Sequence, residues 1–268
     1  MSRVLYKYLD IKGGKMMIGM EGALKRPNIQ FTNASQLNDP FDCHPNLMDY
    51  SEIPEYILNL HGAPLEWYTE KEKNDALNLR NDTWLSSFSK TNDSLLMWSH
   101  YCNNHKGICI GMNLVEMRTN MPSVGVGMYL LEPLRLEVEY QDILNRPKAY
   151  HSPIDPHFYQ LLTKAKAWEY EQEVRLIIEK PHPFLAMLTP EQEKQTKRNE
   201  VMDWKEVHHY LPIGGERFKE IYFGINTDPK EKAKIINYAR TKLNPDIKLY
   251  QMKVDEDAFR LKAEEINY

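Results

Sequence analysis

The chain has 268 residues, of which 42% are hydrophobic and 27% are charged, and its formal net charge is −4. This composition is typical of a soluble globular protein, and it excludes a strongly basic surface field that would draw in nucleic acid. Three cysteines are too few for a disulfide framework, and the sequence has neither a signal-peptide pattern nor an apolar run of membrane-spanning length. We therefore expect a cytoplasmic protein without a membrane partner, in which only a local patch would bind nucleic acid.

The first half of the chain alternates predicted strands with predicted helices. Alternating or continuous apolar residues indicate strands over residues 4–9, 29–32, 84–89 and 107–112. Helical spacing indicates helices over residues 56–60, 67–80 and 94–102. Between them, residues 37–42 have the composition of a turn.

The second half mixes the same elements. Residues 129–140 are strand-like but interrupted by Pro133, and a helix over residues 158–167 leads into an acidic strand that runs to residue 178. Further on we predict a polar helix over 191–204, a strand over 221–225, a helix over 228–243 and a strand over 247–254. This mixture predicts an α+β fold with mixed, mostly antiparallel sheets and peripheral helices. We expect one domain over residues 1–268, with helical insertions at about 51–81 and 185–205.

The acidic strand is the most informative segment of the sequence. It places Glu169, Glu171 and Glu173 at alternate positions, followed by Arg175, so all four would share one face of a strand. Like charges on one face repel, which predicts a cation, a ligand or a reaction beside them, or exposure to water. A carboxylate beside a sugar stabilises an oxocarbenium-like transition state, and a second one can deprotonate an acceptor. The alternative is a surface strand in which Arg175 pairs with Glu173.

Other polar and aromatic residues are candidates to complete a site. Ser87 and Ser89 share one side of their strand and can orient a neighbouring carboxylate by hydrogen bonding. Trp98 and Tyr101 can stack on a flat ring, although aromatic residues at helical spacing also form cores. Lys7 can meet a phosphate or simply face solvent.

A metal site is a weaker possibility. His100, Cys102, His105 and Cys109 follow no common zinc spacing, so we expect no metal there. In the turn after the second strand, Asp39 and Asp42 can act as ligands or as caps.

Several motifs together resemble a bacterial family of unknown function, the domain of unknown function 2971. The matching stretches are residues 5–8, 37–42, 87–89, 97–101, 105–111, 168–175 and 221–224. The resemblance implies no established activity.

A second resemblance is to the ADP-ribosyltransferase superfamily, which cleaves NAD at the nicotinamide ribose. It rests on a strand with a polar anchor, then a Ser-x-Ser strand, then a Glu-x-Glu strand. The resemblance implies an ADP-ribosyltransferase-like core in which Glu173 acts on the ribose and Glu171 activates the acceptor. It also implies substrate-binding roles for Tyr6, Lys7, Tyr8, Ser87, Ser89, Trp98, Tyr101 and Arg175. The first motif departs from that superfamily, since Tyr6, Lys7 and Tyr8 stand where an Arg or a His is usual.

Three hypotheses about function follow. The favoured one is an NAD-consuming transferase or NAD glycohydrolase, acting as a toxin or defence effector, with NAD as substrate and a protein, a nucleic acid or water as acceptor. The second is a non-catalytic interaction module in which the acidic segment is a binding edge or an ion-paired surface. The third is a metal-dependent nuclease in which Asp39, Glu171 and Glu173 hold magnesium, although Arg175 stands where such enzymes use a lysine.

Overall fold

The structure is a computed structural model. It describes residues 4–22, 24–61, 64–114, 125–126, 129–130, 134–153, 155–180 and 205–267. The polar helix predicted over 191–204, most of the insertion at 185–205 and part of the predicted strand 129–140 lie outside the described residues.

Strands and helices alternate through these residues. The strands are β1 (Val4–Leu9), β2 (Asn28–Asn33), β3 (Thr83–Ser89), β4 (Ile108–Asn113), β5 (Gly125–Val126), β6 (Tyr129–Leu130), β7 (Leu134–Glu137), β8 (Glu139–Gln141), β9 (Thr163–Ala165), β10 (Glu173–Glu179), β11 (His208–Pro212), β12 (Phe218–Phe223), β13 (Lys248–Val254) and β14 (Leu261–Glu265). The α-helices are α1 (Ile11–Met17), α2 (Glu55–His61), α3 (Leu65–Asn81), α4 (Leu95–His100), α5 (Pro156–Leu162) and α6 (Pro229–Tyr238). Short 3-10 helices cover Ala34–Gln36, Pro45–Leu47, Lys166–Glu171 and Gly215–Arg217, and a π-helix covers Ala239–Leu243.

Ten of these strands form one large sheet. Its main path runs β11-β2-β3-β1-β4-β12-β13-β14, and β10 and β7 branch from it because β10 also pairs with β3. Within this sheet, the pairing of β12 with β13 is parallel and every other pairing of described strands is antiparallel. The predicted α+β class with a mostly antiparallel sheet is confirmed.

The two faces of the sheet carry different cores, because successive residues of a strand point to opposite sides. Along β4, Ile108 and Ile110 lie in the larger core with residues of α1 and α6, whereas Cys109 lies in a smaller core beneath α4. Both helices that cover the larger core begin at an aspartate. In α6, for example, the Asp228 side chain accepts hydrogen bonds from the backbone N–H groups of Lys230 and Glu231, which satisfies donors that the first turn leaves unpaired.

The prediction for the acidic segment is wrong in its first half. Residues 158–167 do not form one helix: α5 ends at Leu162, and β9 and a 3-10 helix follow. Glu169 and Glu171 therefore lie on the 3-10 helix, which ends at Gln172 in a left-handed conformation with φ of 44°. Only Glu173 and Arg175 lie together on a strand. Helix α1 and strands β11 and β14 are elements that the sequence pattern did not reveal.

An opening in the sheet positions the candidate site. Strand β10 pairs with β3 along its whole length, so β1 and β2 share the other edge of β3. Strand β2 pairs there at Leu85, and β1 pairs at Ser89. The edge of β3 between these two residues consequently faces a gap between β1 and β2.

Among the described residues, no helix has the length and apolar character needed to cross a membrane.

Candidate functional site

A cleft of about 290 Å³ lies at the gap between β1 and β2. It is lined by Tyr6, Lys7, Tyr8, Leu9, Thr32, Gln36, Leu37, Asn38, Asp42, Leu85, Ser87, Phe88, Ser89, Met97, Tyr101, Lys164, Glu171 and Glu173. The fold thus brings together eight of the ten residues that the sequence proposed for a site. Trp98 and Arg175 are the two that do not line the cleft.

Arg175 does not line the cleft but lies behind Glu173 and Asp42, where it is fully inaccessible to solvent. Its Nε donates to Glu173 Oε1 at 2.8 Å, and its Nη2 lies 2.8 Å from the Asp42 carboxylate. Its Nη1 donates to the Leu161 backbone oxygen at 2.6 Å and to Cys43 Sγ at 3.3 Å. An arginine placed in this way holds two carboxylates of distant segments in fixed orientations.

Lys164 is the second cation of the cluster. Its Nζ lies 2.5 Å from Glu171 Oε2, 3.0 Å from Glu173 Oε2 and 3.7 Å from Asp42 Oδ2. Lys164 and the three carboxylates are all buried. Three carboxylates and two cations leave one net negative charge on this cluster.

The charge of Glu173 is maintained by its neighbours. Burial alone would raise the pKa of Glu173, but the charges of Arg175 and Lys164, with hydrogen bonds from Arg175 and Ser87, hold it well below its usual range. Burial would lower the pKa of Lys164, but the surrounding carboxylates, Glu173 foremost, raise it above its usual value. Both groups are therefore ionised at neutral pH, and Glu173 presents a carboxylate to the cleft.

Two tyrosine hydroxyls hold the segments that carry Glu171 and Glu173. The Tyr101 hydroxyl donates to Glu171 Oε1 at 2.5 Å, so α4 is connected to the 3-10 helix that carries Glu171. The Tyr140 hydroxyl accepts a hydrogen bond from the Glu173 backbone N–H at 2.8 Å. These contacts fix the start of β10, where Glu173 enters the cleft.

Lys7 stands at the edge of the gap. Its Nζ donates to the Ser87 backbone oxygen at 2.7 Å and to Ser86 Oγ at 3.1 Å, and it lies 5.1 Å from the centre of the Phe88 ring. Burial lowers the pKa of Lys7 to about 8, although the charge of Glu173 opposes this shift. The amine thus contacts neutral oxygens and an aromatic ring.

Two aromatic candidates have different surroundings. Trp98 is fully buried, donates from Nε1 to the Asn92 backbone oxygen at 2.8 Å and packs edge-on against Tyr8. It supports the wall of the cleft from behind, where a ligand ring could not stack on it. Tyr6 lines the cleft and contacts Tyr222 edge-on, with ring centres 6.0 Å apart.

Within the described part of the chain, no group of three or more His, Cys, Asp and Glu residues has an arrangement that could hold a metal ion. Cys102 and Cys109 are buried free thiols, and His100 is hydrogen-bonded through Nδ1 to the Tyr170 hydroxyl at 3.0 Å. Asp39 is buried and caps its own turn, accepting from the Phe41 backbone N–H at 2.9 Å. Asp39 does not line the cleft with Glu171 and Glu173.

Sequence reasoning missed Lys164 and gave Asp42 no definite role. Lys164 falls in a three-residue strand that the helical prediction concealed, so no pattern exposed it. Asp42 was singled out only as a ligand or a cap, whereas it is a partner of Arg175 across 133 residues of sequence.

Comparison with known proteins adds a family match that covers part of this site. Searches of the curated proteins and of the solved structures gave no match. The family model described as protein of unknown function (DUF2971) matches residues 97–176, a range that includes Tyr101, Lys164, Glu171, Glu173 and Arg175. Over these residues the chain is similar to that uncharacterised family.

Proposed function

We propose that the protein is an NAD-consuming ADP-ribosyltransferase-like enzyme, either a transferase or an NAD glycohydrolase. The observation that carries the proposal is the position of Glu173, an ionised carboxylate held by Arg175 and Ser87 on the wall of a cleft that is rich in tyrosine. Carboxylates with a perturbed pKa in a cleft are candidates for catalysis, and aromatic side chains commonly line ligand pockets.

The size and lining of the cleft are compatible with the reacting end of NAD. Its volume of about 290 Å³ suits one flat ring and one sugar, and the rest of a dinucleotide would extend through the open mouth. Tyr6 and Tyr101 offer aromatic surface, while Ser87 and Asn38 offer hydrogen bonds to sugar hydroxyls.

In the proposed reaction, the bond between the ribose C1′ and the nicotinamide nitrogen breaks, and its electron pair leaves with nicotinamide. Positive charge then develops on the ribose, where the carboxylate of Glu173 and the net negative charge of its cluster would stabilise it. The acceptor oxygen or nitrogen bonds to C1′ and loses a proton, and Glu171 on the same cleft is the proposed base.

One observation favours the alternative of a non-catalytic binding module. Both oxygens of Glu173 already accept hydrogen bonds from Arg175, and Oε2 also accepts one from Lys164. A carboxylate engaged in this way has little remaining capacity for a ribose hydroxyl. Under this alternative the charge cluster stabilises the fold around a cleft that binds a ligand without catalysing a reaction.

The test is release of nicotinamide from NAD by the purified protein. We expect turnover by the wild type, and we expect Glu173→Gln to reduce it by about 100-fold or more. Glu169→Gln is the matched control, since it makes the same chemical change at an exposed residue on the neighbouring 3-10 helix. A wild type that neither binds nor cleaves NAD with water, protein or nucleic acid as acceptor would overturn the proposal.

A further inference from the structure

We propose that Lys7 is a nucleophilic amine site that captures the carbonyl carbon of an open-chain sugar aldehyde in the cleft between β1 and β2. This inference goes beyond the proposed function and does not depend on NAD. It concerns a different group of the cleft and a different chemistry, the addition of an amine to a carbonyl.

Lys7 lies between two clefts. It lines the 290 Å³ cleft and also a smaller cleft of about 110 Å³ at the gap in the sheet. Leu9 and Thr32 also line both clefts. A ligand that reaches the wall shared by the two clefts would therefore contact Lys7.

Lys7 differs in its partners from Lys164, which lines the same cleft. Lys164 is held between the carboxylates of Glu171 and Glu173 at 2.5 and 3.0 Å, which keeps it protonated. Among the ion pairs of the described residues, none involves Lys7, and its hydrogen bonds go to the neutral oxygens of Ser86 and Ser87. An amine in a partly apolar site loses its proton more readily, in accord with the lowered pKa of Lys7.

The other polar groups of the cleft are suited to a ligand with several hydroxyls. Asn38, Ser87 and Tyr101 supply neutral hydrogen-bonding groups, and Glu173 supplies a carboxylate. These groups suit the hydroxyls of a sugar rather than an apolar aldehyde. The other charged groups on the cleft are Asp42, Lys164 and Glu171, which neutralise one another in large part.

The reaction needs no group beyond the amine and the aldehyde. Neutral Lys7 Nζ forms a bond to the carbonyl carbon, and one of its two protons passes to the carbonyl oxygen to give a carbinolamine. Loss of water then gives an imine. Added cyanoborohydride delivers hydride to the imine carbon and water supplies the proton, which leaves a stable secondary amine.

Labelling of the wild-type protein tests the inference directly. The protein is incubated with glyceraldehyde and cyanoborohydride at pH 8, and peptide mass spectrometry measures the rate of adduct formation at each lysine. We expect Lys7 to react about tenfold or more faster than Lys164 and than exposed lysines such as Lys230, because a lowered pKa raises the fraction of the amine that is neutral at pH 8. A Lys7 rate at or below that of the exposed lysines would overturn the inference.

Two controls separate reactivity from other causes. In urea, Lys7 should react no faster than the exposed lysines. If Lys7 still reacts faster, the local sequence and not the folded cleft causes its high rate, which would contradict the inference. Lys7→Arg should remove this one adduct while leaving the labelling rates of the other lysines unchanged. Labelling without NAD tests this inference, and protection of Lys7 by NAD separately tests the proposed function, so that either can fail alone.

Discussion

Replacement of Arg175 by methionine probes the buried charge cluster most severely. The change removes the guanidinium that contacts Glu173, Asp42 and the Leu161 backbone oxygen together. It keeps an unbranched side chain in the space but, among the described residues, leaves Lys164 as the one cation paired with the three buried carboxylates. The described residues around Arg175 offer these carboxylates almost no access to water, since Glu173 is 3% and Asp42 is 2% exposed.

The expected cost follows from this geometry. Removing one partner of a buried ion pair leaves an uncompensated charge and costs about 3–5 kcal/mol. For a chain of this size, such a loss lowers the melting temperature by roughly 10 °C. Loss of the Leu161 contact leaves a backbone oxygen without this donor and acts in the same direction.

Urea unfolding followed by circular dichroism measures this cost. The matched control is Lys71→Met, which also removes one positive charge but from an exposed pair with Asp75 on α3, and it should change stability by less than about 0.5 kcal/mol. If Arg175→Met costs no more than Lys71→Met, the cluster does not hold the site together and the reasoning is refuted.

Two further predictions concern pH and packing. The pKa of Glu173 in the folded state lies below its ordinary value of 4.5. The unfolded chain therefore binds a proton at Glu173 more readily than the folded chain does. As a result, the contribution of Glu173 to stability is lost progressively as the pH falls below about 4.5. Urea midpoints between pH 6 and 3 should therefore fall less steeply in Glu173→Gln than in the wild type, and equal slopes would contradict this. Gly224→Ala should destabilise the protein by about 1–3 kcal/mol. The added Cβ would lie 2.1 Å from the His105 backbone oxygen and 3.2 Å from the Trp98 ring. An unchanged melting temperature would contradict this prediction and show that the turn before α6 can relax.

The strands were predictable where a periodic pattern coincides with burial. β1, β2, β3 and β4 appear within two residues of their predicted limits, because alternating apolar residues pack on the two faces of one sheet. The pairing of Glu173 with Arg175 on one side of β10 also followed from alternation.

The failure at the preceding residues has a physical cause. Alternating carboxylates fit a strand equally well by pattern, but Glu171 is buried at the end of a 3-10 helix, where it contacts Lys164 and Tyr101. Such contacts arise from tertiary structure, which overrides local preference. The ion pair between Arg175 and Asp42 was equally hidden, since nothing local links a turn to a strand 133 residues away.

The central claim is that Glu173 cleaves the nicotinamide ribose bond from its position on the cleft wall. The most direct measurement is nicotinamide release from NAD by the wild type, Glu173→Gln and Glu169→Gln, with folding of each checked by circular dichroism. The account predicts release by the wild type and by Glu169→Gln and its loss in a folded Glu173→Gln. Undiminished release by folded Glu173→Gln, or no release by the wild type with any acceptor, would contradict it.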